Sequence, residues 1–254
     1  MRTKIASVIV ALALLSMLSL PTAAFYGAEV MGTGGAATAV ATGISAIFWN
    51  PAGLAFSTDN SLSVTYSYPK ADYRSSIGIA SQFGDLGLGF ARHRWPFWGE
   101  NADWNSVALG YKWRPNFALG VAGRFCESQF SGDLAIQYRQ DLVRAGILVQ
   151  NAFQPNKVNI QPSLALETER ITMGLDVYLA NNLPYTFRLQ SAPYNHQVGV
   201  EYRPLGQAGF LALRGGFYQG TVTAGIGVKK QGFFLDFAVV PDWQLAQITT
   251  GVSF

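Results

Sequence analysis

The chain has 254 residues, of which 13% are charged and 13% aromatic, with 27 glycines and a mean hydropathy of +0.17. Beyond an N-terminal leader, no apolar run reaches the roughly eighteen residues of a membrane helix, which excludes a bundle of spanning helices. The net charge of +3 falls to +1 without Arg2 and Lys4, and no Lys/Arg stripe occurs, so we expect no nucleic acid partner. The single cysteine, Cys126, excludes an intramolecular disulfide and is interpreted as a small apolar filler.

The first 24 residues have the features of a secretory signal peptide. Arg2 and Lys4 form a basic start, residues 5–20 form an apolar core, and residues 22–24 are small enough for a cleavage site. We therefore expect cleavage after Ala24. The alternative, a spanning helix, needs about twenty apolar residues and a stop-transfer flank, and Pro21 ends this run early.

The next segment, residues 25–58, shows no alternation and almost no charge. It contains a Gly-rich stretch at residues 32–35 and ends in an Asn-Pro-Ala-Gly turn at residues 50–53. A nucleotide loop would need a preceding strand and a Gly-Lys-Ser/Thr ending, which are absent from the sequence. We expect a compact plug, or hatch, and its candidate key residues are Gly34, Gly35, Asn50, Pro51, Ala52 and Gly53.

From residue 59 to residue 254, apolar residues alternate with small or polar ones. Leu62, Val64, Tyr66 and Tyr68 alternate with Ser and Thr, and the pattern recurs at 107–113, 171–177, 221–228 and 245–254. Because successive side chains of a strand face opposite sides, this period predicts one face toward lipid and one toward a lumen. The last strand ends on Phe254, which is typical of outer-membrane barrels and is interpreted as an assembly signal.

Turn signals divide this region into strands. Short connections, suited to the periplasmic side, are predicted at residues 84–85, 115–116, 140–141, 169–170, 204–206 and 231–232. Longer ones are predicted at 69–73, 95–104, 127–132, 151–158, 180–194, 219–220 and 241–243. The count is fourteen or fifteen strands, depending on residues 187–190. A barrel with both ends in the periplasm needs an even number, so we assign 187–190 to a loop and predict about fourteen strands.

The alternation places most charged residues of the barrel on the lumen face, since a charge at mid-depth on the lipid face would cost about 2–4 kcal/mol. The candidates are Lys112, Arg124, Glu167, Asp176, Glu201, Arg214 and Asp236, together with Arg139 and Arg188. We expect them to pair with one another and with the plug, the alternative being a polar conduction path.

Four aromatic residues, Trp95, Phe97, Trp98 and Trp104, crowd one predicted loop. They are interpreted either as an interfacial belt or as a capture site for an apolar ligand.

Enzymatic chemistry has little support in the sequence. The only histidines are His93 and His196, neither in a recognisable catalytic setting, and no spacing of His, Cys and Asp suggests a metal. We therefore expect no catalytic residues, no metal and no cofactor.

Three parts of the chain carry a family resemblance: the Asn-Pro-Ala-Gly turn, residues 201–204 with 213–217, and residues 223–228 with 235–238. In these parts the chain resembles the FadL and PorV/PorQ families of outer-membrane proteins. The resemblance implies an all-β fold, a single transmembrane antiparallel barrel with a hatch in its lumen. It also implies residence in the bacterial outer membrane, in contact with lipid and with the assembly machinery. The FadL branch implies hatch-gated passive transport of fatty-acid-like hydrophobic molecules, which is our preferred hypothesis. The PorV branch implies a component or partner of a protein secretion system.

Overall fold

The structure is a computed structural model that describes residues 27–68, 74–97, 100–127, 129–153, 158–179, 196–218 and 220–254. Its strands form one closed antiparallel barrel in which every strand pairs with its neighbours in sequence and β1 pairs with β14. The strands are β1 (Ser61–Tyr68), β2 (Arg74–Phe83), β3 (Leu86–Phe97), β4 (Glu100–Arg114), β5 (Phe117–Cys126), β6 (Gln129–Gln140), β7 (Val143–Gln150), β8 (Asn159–Glu167), β9 (Ile171–Val177), β10 (His196–Tyr202), β11 (Leu211–Tyr218), β12 (Thr221–Lys230), β13 (Phe233–Val240) and β14 (Leu245–Ser253). The predicted all-β barrel of fourteen strands is confirmed.

The predicted alternation is confirmed as well. On β1 the side chains of Val64 and Tyr66 are exposed, while Thr65 and Ser67 are buried. The same division holds on β4, β9, β12 and β14, where the apolar row is exposed and the small or polar row is turned inward. Because successive side chains of a strand face opposite sides, each strand contributes one apolar outer row and one lumen row. Closure of the barrel leaves no free sheet edge.

The short connections gather at one end of the barrel, where β1 begins and β14 ends; we call it the turn end, and the opposite one the loop end. All six predicted short connections lie at the turn end, although the one between β10 and β11 runs over residues 203–210. Between β12 and β13, Gln231 and Gly232 both have positive φ, 50° and 84°. Two such residues in succession are what a tight hairpin of this twist requires.

Two predicted loops are shorter than expected. Residues 95–104 were predicted as a long connection, but β3 continues to Phe97, β4 begins at Glu100, and Trp95 pairs with Ala102. Aromatic residues favour strands, and Pro96 removes only one donor from the ladder, so both strands extend. Similarly, only residues 127–128 separate β5 from β6. Residues 187–190 lie outside the described part of the chain.

Residues 27–57, here called the N-terminal segment, precede the barrel strands. They form the helices α1 (Ala28–Gly32) and α2 (Gly43–Trp49) and a 3₁₀ helix, Pro51–Phe56. The segment contacts lumen-facing side chains around the whole wall: Thr249 on β14 accepts from Ala28 N, and Asp176 on β9 accepts from Thr38 N. It therefore lies inside the barrel. In the described ranges, no helix combines the length and the apolar character that a membrane crossing requires.

Candidate functional site: the barrel lumen and its N-terminal segment

Asn50 and its neighbours fix the middle of the N-terminal segment. The fully buried Asn50 side chain donates from Nδ2 to Thr38 O at 2.7 Å and to Ile136 O of β6 at 3.1 Å, and its Oδ1 accepts from Ala52 N at 3.1 Å. One amide thus joins two parts of the segment to the wall and caps the 3₁₀ helix, where Pro51 occupies the first turn. A Cβ on Gly53 would lie 2.0 Å from Ala41 O.

Glycines on the lumen rows mark the places where the backbone of the segment touches the wall. A Cβ on Gly120 of β5 would lie 2.0 Å from Ala52 N, and a Cβ on Gly199 of β10 would lie 2.1 Å from Thr33 O. Comparable overlaps with backbone atoms of the segment would arise at Gly87, Gly110, Gly146, Gly174 and Gly216. A backbone atom cannot rotate aside as a side chain does, so the close packing depends on glycine at these positions.

The Gly-rich turn of the segment uses its glycines in a similar way. Gly34 and Gly35 have φ values of 64° and 78°, in the left-handed region that favours glycine. A Cβ on Gly34 would lie 2.5 Å from Phe217 N of β11, and a Cβ on Gly35 would lie 2.8 Å from Gln197 Oε1. Both positions therefore combine a backbone conformation and a wall contact that only glycine satisfies.

A buried carboxylate on β9 holds the middle of the segment. Asp176 Oδ2 accepts hydrogen bonds from Thr38 N at 3.0 Å and from Gln161 Nε2 at 2.8 Å, and the Ser163 hydroxyl donates to Oδ1. Ser163 Oγ in turn accepts from Ala39 N. We expected Asp176 to pair with other charges and with the plug. It does bind the backbone of the segment, and the partners that these contacts identify are all neutral donors.

Three predicted lumen residues form one ion-pair network at the turn end of β10, β11 and β13. Arg214 Nε lies 2.6 Å from Glu201 Oε2, and Arg214 Nη1 lies 2.5 Å from Asp236 Oδ1. Arg203 Nη2 binds the second oxygen of Glu201 at 2.5 Å. Since the Arg214 side chain is only 6% exposed, each charge depends on its partners for compensation.

Glu29 of α1 faces this network from the N-terminal segment. Its side chain is exposed to a cavity of the lumen that opens at the turn end, and the surrounding wall and segment limit its contact with bulk water. This limited hydration raises the pKa of Glu29 above its ordinary value of 4.5, while the positive charge of Arg214 opposes the increase. The segment therefore carries a titratable group next to this ion-pair network.

The remaining predicted charges have different partners. Arg124 pairs with the buried Asp133, and Glu167 pairs with Arg144 at 2.8 Å. Lys112 Nζ and the Arg139 guanidinium lie over the ring of Phe56, 5.6 Å and 4.6 Å from its centroid, and so anchor the end of the 3₁₀ helix by cation–π contacts. Arg188 lies outside the described residues.

The four aromatic candidates do not form one exposed loop. Trp104 points into the lumen on β4 and is buried, in an apolar cluster with Ile47, Phe48 and Trp49 of α2. Trp95 and Phe97 belong to β3, where Phe97 pairs with Glu100, and Trp98 lies outside the described residues. At the turn end, Phe254 closes β14 through two backbone hydrogen bonds with Asn60.

Several contacts of the segment use residues that we did not single out from the sequence. Gln137 Nε2 donates to Ala39 O at 2.8 Å, Thr249 Oγ1 accepts from Ala28 N, and Ser57 Oγ accepts from Gly43 N. For Gln137 and Thr249, the position on a lumen row could have predicted the contact, because a glycine, hydroxyl or amide at a lumen position is a candidate for contact with the segment. No group of His, Cys, Asp and Glu that could hold a metal occurs among the described residues.

The fold is a closed antiparallel β-barrel of fourteen strands with a segment of chain in its lumen, an architecture shared with outer-membrane channels. The structure is similar to the toluene transporter TodX of Pseudomonas putida, with a TM-score of 0.55 and 12% identity over 91% of this chain and 97% of that one. The deltaS2S3 mutant of TodX, a monoaromatic hydrocarbon channel, gives a TM-score of 0.54 and 13% identity over 90% and 98%. A KdgM porin gives a TM-score of 0.42 and 10% identity over 76% and 98%. No protein-family model and no curated protein matches the sequence.

At these identities the comparisons concern the fold alone. The fold that the FadL resemblance implies is present, and membership of the FadL or PorV/PorQ family stays a resemblance. The functions of the two branches are therefore considered below as proposals.

Proposed function

We propose that the protein is a passive outer-membrane channel for small hydrophobic molecules and that residues 27–57 form the hatch that gates it. The observation that carries this proposal is an N-terminal segment packed inside a closed barrel of fourteen strands. A segment held by hydrogen bonds and close contacts can block the lumen and still be displaced without covalent chemistry. The similarity in fold to a hydrocarbon channel and a toluene transporter supports the same class of function.

The loop-end half of the lumen supports a hydrophobic solute. The Phe48 ring packs edge-on against His93 with centroids 5.3 Å apart, and Trp104 lies in the same apolar cluster. A hydrophobic solute that enters from the loop end would reach these side chains before it reaches the charged turn end. Because the rings of Phe48 and Trp104 are buried in this cluster, they offer apolar contact area to such a solute when the segment moves from the wall.

Binding of a hydrophobic probe to the protein in proteoliposomes tests this proposal. We expect the folded protein to bind a fluorescent fatty-acid-like probe with an uncharged head group, and we expect simultaneous replacement of Trp95, Phe97, Trp98 and Trp104 to lower binding. Full retention of binding by a folded variant would refute the capture role. Since Trp104 is buried in the lumen, the alternative of an interfacial belt is tested by replacing Trp95, Phe97 and Trp98 alone, and unchanged membrane stability in that variant would argue against it.

Residence in the outer membrane is tested separately. We expect the mature chain to begin near Phe25, to fractionate with the outer membrane and to show heat-modifiable migration. Deletion of Phe254 should impair assembly and leave export intact. Recovery of the wild-type chain as a soluble periplasmic protein would contradict the proposal.

The second candidate function is a PorV-like role as a component or partner of a secretion system. The observation that favours it is the close packing of the segment, because a barrel that remains closed can serve as a scaffold rather than a channel. Co-purification with exported proteins, with no binding of an apolar probe by the wild type, would favour this role over transport.

A further inference from the structure

The turn-end half of the lumen contains two adjoining cavities beneath the N-terminal segment. The larger has a volume of about 360 Å³ and lies between the segment and the wall formed by β11 to β14, β1 and β2. The smaller, of about 290 Å³, lies toward β6 to β10. Glu29, Arg203 and Gln207 line both. The two cavities differ in what closes them toward the loop end.

Direct backbone contact closes the smaller cavity. Gly174 and Gly199 line it, and a Cβ on Gly199 would lie 2.1 Å from Thr33 O, while a Cβ on Gly174 would lie 2.8 Å from Ala36 O. These gaps do not admit a methyl group. A solute could pass on this side only if the backbone of the whole turn moved away from the wall.

Hydroxyl groups of the wall and the side chains of Ile44 and Phe48 bound the larger cavity toward the loop end. Thr249 Oγ1 lies 2.8 Å from Thr65 Oγ1 on β1 and accepts a hydrogen bond from Ala28 N at 2.8 Å. Ala28 is the fully buried first residue of α1, while the end of that helix lies against β12, where Thr223 Oγ1 donates to Gly32 O at 3.2 Å. Opening at Ala28 breaks one neutral hydrogen bond, which contributes about 0.5–1.5 kcal/mol, and uncovers one small apolar side chain.

The lumen row of β1 carries hydroxyls on both sides of this contact, with one of them, Ser67, on the loop-end side. Ser61, Ser63 and Thr65 line the larger cavity, and Ser67 follows toward the loop end. Ser67 is fully buried, and its hydroxyl has no hydrogen-bond partner among the described residues. Polar groups thus continue past the point where the cavity ends.

We propose that solutes cross the barrel along this row of β1, in the seam between the N-terminal segment and the β14–β1–β2 wall, with the Ala28–Thr249–Thr65 contact as the gate. This inference rests on the proposed transport function and deepens it. Displacement of the first residues of α1 opens the seam, while the glycine contacts keep the rest of the segment on the opposite wall.

The lining of the seam defines the class of solute. The wall of the seam on β1 and β2 presents the hydroxyls of Ser63, Thr65 and Ser76, and the segment presents the apolar side chains of Ile44 and Phe48. The charged residues that line the same cavity, among them Glu29, Arg214 and Asp236, lie on its β11–β13 side, away from this row. A pure hydrocarbon would separate these hydroxyls from water without replacing their hydrogen bonds, at about 1–3 kcal/mol for each group left unpaired. A charged solute would lose hydration against the apolar side. The route therefore fits a small neutral amphiphile with one apolar face and a hydroxyl group.

Cysteine labelling tests the route in the full-length, membrane-reconstituted protein. The background is Cys126→Ala, which removes the single native thiol. Ser63→Cys and Ser76→Cys place a thiol in the seam, and Ala118→Cys places one on the lumen row of β5 near the turn end, where packing against Ala52 and Ala55 covers it. A bulky methanethiosulfonate reagent is added from the turn end, and ion current is recorded in planar bilayers.

We expect labelling of both seam variants to reduce the current several-fold and Ala118→Cys to remain unlabelled. Heat-modifiable migration verifies that each variant is folded. Ser63→Cys and Ser76→Cys place the thiol at two positions of the same seam, so both should give the same result. Labelling of folded seam variants with unchanged current would overturn the route and leave the transport function standing. A wild type that passes neither current nor solute would overturn the transport function itself, and the route with it.

Protection from labelling tests the solute class. We expect 4-nitrobenzyl alcohol to slow the labelling of Ser63→Cys several-fold more than 4-nitrotoluene, which lacks the hydroxyl, or 4-nitrobenzoate, which is charged. Equal protection by 4-nitrotoluene or by 4-nitrobenzoate would overturn the assignment of a neutral amphiphile. Because occupancy of the seam is measured directly, diffusion of the probes across the lipid does not affect the result.

Discussion

Asn50 Nδ2 donates a hydrogen bond to Ile136 O across 3.1 Å, which joins the Asn-Pro-Ala-Gly turn to strand β6. The same nitrogen donates to Thr38 O, so both of its protons are used inside the protein. An aspartate of the same shape would present an oxygen to both carbonyls. The amide at this position therefore holds the segment in a way that its closest carboxylate analogue cannot.

Asn50→Asp should destabilise the seated segment by on the order of 3–5 kcal/mol, the cost of a buried charge without compensation. We expect the shift from folded to unfolded migration to occur at a lower temperature, and we expect a larger ion current. Asn60→Asp is the matched control, since Asn60 Oδ1 only accepts a hydrogen bond, from Gln82 N, and an aspartate retains that role. Equal effects of the two substitutions would contradict the assigned role of Asn50.

Gly120→Ala should disturb the segment, because its Cβ would meet the backbone nitrogen of Ala52 at 2.0 Å. Overpacking of this kind typically costs about 1–3 kcal/mol. Gly123→Ala, on the same strand, is the control: its Cβ would meet only the Phe130 ring, at 3.3 Å. We expect increased ion current for Gly120→Ala alone, and similar currents for both variants would show that the glycine contacts do not seat the segment.

Arg214→Gln should destabilise the barrel by on the order of 3–5 kcal/mol, because it removes the cation bound to the buried Asp236 and leaves Glu201 with Arg203 as its remaining partner. The control is Lys229→Gln at the turn-end rim, where Lys229 and Asp59 are 56% and 49% exposed and their pairing contributes at most about 1 kcal/mol. The measurement is the midpoint of urea unfolding in detergent micelles. A small effect at Arg214 would mean that water compensates the two carboxylates.

The sequence was sufficient to predict the fourteen strands and their two faces, because lipid and lumen impose opposite requirements on alternate residues such as Val64 and Thr65. It also identified the Asn-Pro-Ala-Gly turn, because Pro51 and the cap from Asn50 to Ala52 N are local features, whereas the bonds of Asn50 to Thr38 and Ile136 are not. The partners of Asp176 could not be predicted, since they depend on which lumen residues the segment reaches. The extent of β3 and β4 was mispredicted because aromatic residues near Pro96 are compatible with either a loop or a strand.

The seating of α1 should depend on pH. Limited hydration inside the lumen raises the pKa of Glu29 above 4.5, so the packed segment favours the protonated acid. A group whose pKa is higher in the packed state stabilises that state fully below its ordinary pKa, and this stabilisation is lost as the pH rises through the raised value. We therefore expect the ion current to be lowest in acid and to increase as the pH rises from about 4.5. Glu29→Gln, which is neutral throughout, should keep a low current over this range and flatten the profile. An unchanged pH profile in Glu29→Gln would assign the dependence to another group.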